Sequence, residues 1–100
     1  MLNIEEIIKT LSGYRAKLVS EFGVRNIGVF GSYARGVQTP DSDIDFVVDF
    51  ADDCQDLFET KYQLRLFLSG LFNKQVDVAN LKAIKPYVLN EIKGDIRYAE

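Results

Sequence analysis

Histidine and tryptophan are absent from this sequence, cysteine and methionine occur once each, and proline occurs only twice. Without histidine, imidazole acid–base catalysis and histidine metal ligation are both closed to the chain. Proton transfer then falls to a carboxylate or a bound hydroxide. The single cysteine, Cys54, excludes an internal disulfide, and the N-terminus lacks the charged segment and long apolar run of an export signal. A reducing cytoplasm is the expected location. No apolar run approaches the ~20 residues that cross a bilayer, so no membrane contact is expected. A basic footprint is also missing: 12 Lys and Arg are spread along the chain against 15 Asp and Glu, for a net charge of −3. Direct nucleic-acid binding is therefore not expected.

What is present suits one compact α/β domain over residues 1–100, with 47% hydrophobic residues and no room for a second core. A site that transfers a group between two substrates must then find its acceptor surface on another protein. The acids are clustered. Asp41, Asp43, Asp45, Asp49, Asp52, Asp53 and Asp56 fall close together, with no Lys or Arg between Arg35 and Lys61. Such a cluster repels itself unless cations reside there.

Apolar spacing through Ile4, Ile7, Ile8, Leu11, Leu18 and Val19, preceded by Asn3 as an N-cap, predicts one amphipathic helix over residues 3–20. Arg25 to Phe30 and Ile44 to Phe50 read as strands flanking a loop, Gly31 to Ser42, whose first half has room for one helical turn before Pro40. Asp56 is positioned to cap a helix running to about Phe72, with Leu57, Leu64, Phe67, Leu68 and Leu71 facing the sheet. Gln75 to Ala79 reads as a third strand, followed by a helix from Pro86 that Gly94 stops. The expected architecture is a small mixed sheet flanked by helices, in the order α-β-loop-β-α-β-α.

Asp43-Ile44-Asp45 places two carboxylates at i and i+2 of an extended segment, on one face. Each raises the other's pKa unless cations neutralise them, and Mg²⁺ is commonly held by one or two carboxylates together with substrate phosphates. A site for two Mg²⁺ ions is the natural reading. Asp77, between Val76 and Val78, occupies an apolar strand that is a costly place for an unpaired charge. If that strand adjoins the strand of Asp45, Asp77 completes the ligand set or serves the acceptor hydroxyl as base. Gly31 and Ser32 leave a strand into a turn where backbone N–H groups and a hydroxyl can hold phosphate, and Arg35, one helical turn on, can clamp the same phosphates.

Each of these features alone has an ordinary explanation: a turn, a solvated edge, a strand-end acid, a surface arginine. Their order along one chain carries the argument. Gly31-Ser32, a ten-residue spacer and Asp43-Ile44-Asp45 resemble the signature of the DNA polymerase β-like nucleotidyltransferase superfamily, whose later strand carries a third acid where Asp77 stands. Length and element order are similar to the minimal nucleotidyltransferases encoded beside a HEPN-domain partner. The resemblance implies Mg²⁺ on Asp43, Asp45 and Asp77, the triphosphate of ATP on Gly31 and Ser32, and support from Arg35. It further implies an antitoxin that transfers AMP from ATP to a tyrosine hydroxyl of a HEPN ribonuclease toxin. Two alternatives stay open: neutralisation of the partner by contact alone, and a nucleotide-binding subunit of a two-chain transferase acting on a small molecule such as an aminoglycoside.

Overall fold

The strand Ile44–Phe50 (β2) organises the molecule because its two faces differ. Ile44, Phe46, Val48 and Phe50 alternate onto one face and are buried in the apolar core, while Asp45, Val47 and Asp49 point to the other. The computed structural model, which describes residues 2–100, sets this strand inside a four-stranded mixed sheet. Val24–Phe30 (β1) pairs antiparallel with β2 on one side, and Val76–Asn80 (β3) pairs parallel with it on the other. A two-residue strand, Arg97–Tyr98 (β4), closes the far side of β1, giving the order β3-β2-β1-β4.

The parallel pairing of β2 with β3 demands a crossover, which the helix Leu57–Phe72 (α4) supplies. Its Leu64 and Leu68 are fully buried against the core face, so truncating either to alanine is expected to cost about 2–5 kcal/mol. The start of α4 is fixed by Asp56, whose carboxylate accepts from the Glu59 N–H at 3.3 Å. Its end is fixed by Asn73 in the left-handed region at φ 53°.

The helix expected over 3–20 is two helices, Ile4–Gly13 (α1) and Arg15–Phe22 (α2), broken at Tyr14. Asn3 caps α1 through the Glu6 N–H at 2.9 Å, as the sequence indicates. The break escaped the apolar pattern because Leu11 and Leu18, seven positions apart, stay on the core side across it. The turn lets α2 lie against α4: Tyr14 and Phe22 both pack on the Phe67 ring, at centroid separations of 5.6 and 5.4 Å.

The loop from Gly31 opens with one helical turn, Gly31–Arg35 (α3), ended by Gly36 at φ 72°. After β3 come a 3-10 turn, Leu81–Ala83, and a short helix, Pro86–Ile92 (α5), with proline in its first turn. The 3-10 turn and β4 were not anticipated. No described helix is long and apolar enough to cross a membrane.

Candidate active site

The sheet brings the anticipated acids to one end of one face. In the β2–β3 ladder Asp45 stands directly beside Asp77, and in the β1–β2 ladder it stands opposite Phe30, the last residue of β1. The chain turns there at Gly31, whose φ of 74° suits a residue without a side chain. A second constraint acts at the same residue: a Cβ on Gly31 would collide with Asp45 Oδ2. Glycine is thus what allows the backbone entering α3 to lie against the Asp45 carboxylate. Tyr33, fully buried, anchors α3 from below, and Ser32 follows Gly31 at the mouth of the turn.

Asp43 lies just before β2 rather than within it, exposed at the end of the loop. Asp77 requires a correction. The cost of a buried charge does not apply, because β3 is an edge strand and Asp77 is solvent-exposed. Val76 and Val78 face the core while Asp77 faces outward, on the same side as Asp45.

Electrostatics single out Asp45. Partial burial pushes its carboxyl above the usual carboxylate range, the neighbouring charges of Asp77 and then Asp43 push it further, and Arg35 opposes them. The three acids therefore feel one another at Asp45, and a cation is the physical remedy for that repulsion. All are hard oxygen donors of the kind Mg²⁺ takes. Among the described residues no three acidic side chains close into a ready-made metal cage.

Arg35 sits at the end of α3 with its guanidinium 3.8 Å from Asp95 Oδ2, both side chains about half exposed. Asp95 was not readable as its neighbour, since sixty positions separate the two. Two of the remaining acids are paired within the fold. Asp56 is the cap, but Asp49 is part of β2 and forms ion pairs with Arg25 Nε at 3.2 Å and Lys82 Nζ at 3.7 Å. Asp52 pairs with the same two cations.

The model of the nucleotidyltransferase domain family matches residues 8–99. The chain is 36% identical over 98 residues to the protein adenylyltransferase MntA of Thermococcus cleftensis, an alignment covering 98% of this chain and 97% of that protein. The fold is similar to that of a toxin–antitoxin complex with AMP-PNP, with a TM-score of 0.70 and 23% identity over 89% of this chain and 72% of that one. It is similar also to a chain of the complex of tri-AMPylated Shewanella oneidensis HEPN toxin with MNT antitoxin, with a TM-score of 0.63 and 19% identity over 93% of this chain and 71% of that one. With the family model spanning nearly all of its length and a full-length relative above one-third identity, the chain belongs to the nucleotidyltransferase domain family.

Proposed function

We propose that this chain is a Mg²⁺-dependent protein adenylyltransferase that acts as an antitoxin, transferring AMP from ATP to a tyrosine hydroxyl of a partner HEPN ribonuclease toxin in the cytoplasm. One observation carries the reading: Asp45 stands at once against the Gly31 backbone and in register with Asp77. The turn proposed to hold phosphate and the carboxylates proposed to hold Mg²⁺ thus lie side by side at the end of the sheet. The acceptor is supported by the relative that bears the name protein adenylyltransferase and by the fold shared with a complex whose HEPN toxin is AMPylated.

In this reading the backbone of Gly31 and the Ser32 hydroxyl hold the triphosphate, and Arg35 exchanges its long contact with Asp95 for a phosphate oxygen. Asp43, Asp45 and Asp77 would hold two Mg²⁺ ions, which when bound with ATP supply charge neutralisation at the attacking and leaving oxygens. The tyrosine oxygen forms its bond to the α-phosphorus as the bond to pyrophosphate breaks. Asp77, exposed at the sheet edge, is placed where an acceptor hydroxyl can approach and give up its proton. The chain operates as a single unit, with the partner supplying the acceptor surface.

The test is mass spectrometry of the partner after incubation with this chain, ATP and Mg²⁺, with the Asp43→Asn/Asp45→Asn variant as control. An added AMP mass that the control lacks is the expected result. A stable complex with no added mass would overturn the proposal and leave neutralisation by contact.

A further inference from the structure

Asp43 is delivered to the site by an irregular segment, residues 36–43, that has little burial of its own: Val37 is 62% exposed, and Thr39, Pro40 and Asp41 are exposed. Its internal order is one turn, in which the Ser42 N–H donates to the Thr39 carbonyl at 3.0 Å and the Thr39 N–H to Ser42 Oγ at 2.9 Å. Position relative to the sheet must come from outside the loop. Its first half is held by Gln38, whose Nε2 donates to the Leu2 carbonyl at 3.2 Å, and by the Val37 N–H, which donates to the Ser32 carbonyl at 3.0 Å; two consecutive residues fasten its second half, on either side of Asp43. Lys74 Nζ donates to the Pro40 carbonyl at 2.8 Å, and the Gln75 carbonyl accepts from the Ile44 N–H at 3.2 Å.

Lys74 is built to be a fixed arm. Its N–H donates to the Ser69 carbonyl at 3.3 Å, and its carbonyl accepts from Ser69 Oγ at 2.7 Å, so its backbone is fastened to the end of α4 on both sides. Asn73 before it takes the left-handed conformation that turns the chain out of the helix. Three residues later the same segment presents Asp77. One short stretch thus sets both Asp77, through β3, and Asp43, through the Lys74 ammonium.

We infer that Lys74 is a positioning residue, which holds Asp43 at its working distance from Asp45 and Asp77 by fastening Pro40 to the α4–β3 turn. The inference rests on the carboxylate site proposed above, and two readouts separate its failure from that of the proposal. Partners that orient a metal ligand without touching the metal are worth 10–100-fold in metal affinity. In Lys74→Met the Mg²⁺ concentration for half-maximal AMP transfer rises by roughly tenfold, kcat at saturating Mg²⁺ falls by less, and Lys74→Arg, which can still donate to Pro40, restores the Mg²⁺ dependence. A Lys74→Met curve superimposable on wild type would overturn the assignment, as would a shift confined to KM for ATP, which is the mark of direct phosphate binding.

The second readout does not depend on catalysis. In hydrogen exchange without nucleotide, Lys74→Met speeds exchange at the Ser42 and Ile44 amides while the β1–β2 ladder keeps wild-type protection. If wild type transfers no AMP, the adenylyltransferase reading falls and exchange alone decides Lys74. Unchanged exchange at Ser42 and Ile44 would then end the assignment.

Discussion

Strand β2 carries an aspartate near each end of the same face, Asp45 and Asp49, and the two are treated in opposite ways. Asp49 is closed off by the protein's own cations: Arg25 from β1 and Lys82 from the 3-10 turn reach it, and both go on to Asp52 in the following loop. Lys82 also donates to the Phe50 carbonyl at 3.1 Å, tying the turn to the strand end. Among the described residues, the charges that act on Asp45 are those of Asp77 and Asp43, and the cation that opposes them, Arg35, lies against Asp95. The charge of Asp49 is ion-paired within the fold, whereas like charges gathered around a partly buried carboxylate are the arrangement found at functional sites.

The sharpest way to break the comparison is to neutralise each end in turn. Asp43→Asn with Asp45→Asn should remove several kcal/mol of transition-state stabilisation, a loss of about 10³-fold or more in AMP transfer. Thermal stability without metal should stay the same or rise, because like charges are removed. Transfer rates and melting curves on one preparation check both halves. Retained transfer, or a collapsed fold, would remove the contrast.

Gly31→Ala is expected to come next. The left-handed φ costs a non-glycine residue about 1–2 kcal/mol, and the added methyl must also displace the Asp45 carboxylate. Stability and transfer should therefore fall together, read by urea denaturation and by the AMP assay. A stability loss alone would mean that the Gly31 backbone and the Asp45 carboxylate act independently.

Lys82→Met should act only on stability. Its ammonium is half exposed and its pairs are partly screened, so about 1 kcal/mol is expected in urea, with transfer within about twofold of wild type. A large loss of transfer would mean that the paired end of β2 also serves the chemistry.

How legible these ends were in the sequence depended on how far apart the partners lie. The signature end is local: Gly31, Ser32, Arg35, Asp43 and Asp45 lie within fifteen positions, and the β-rich run Ile44 to Phe50 was readable as a strand although its alternation is broken at Val47. The neighbourhood of Asp45 and Asp77 was a conditional expectation that the parallel ladder meets. Asp77's exposure was not readable, because whether a strand is central or at an edge is settled by pairing and not by its own residues. The cations of the paired end come from Arg25 and Lys82, far on either side of the acidic run, so the run looked unneutralised from end to end. Lys74 left no pattern at all, since a surface lysine gains meaning only from the carbonyl it reaches. The break at Tyr14 and the two residues of β4 are likewise products of packing.

The smallest effect separates the two ends by the direction in which pH moves stability. The Asp45 carboxyl lies above its ordinary value in the folded chain. Over the interval from the ordinary carboxylate value up to that raised one, the folded state holds more protons than the unfolded state, and stability falls as pH rises. The Asp52 carboxyl is held below its ordinary value, chiefly by its hydrogen bond with Lys82 and then by the charges of Lys82 and Arg25. Its contribution is present above the ordinary value and is lost as pH falls through the lowered one. Melting temperatures taken in metal-free buffer from about pH 3 to pH 7 should therefore respond oppositely to two substitutions. Asp45→Asn removes a decline on the way up, and Asp52→Asn removes a decline on the way down. With Asp52 exposed and Lys82 half exposed, the share of this pair is the smaller and the more sensitive to salt. If both variants flatten the same limb of the curve, the two ends of β2 are not electrostatically distinct, and the contrast between a closed and an open set of charges fails.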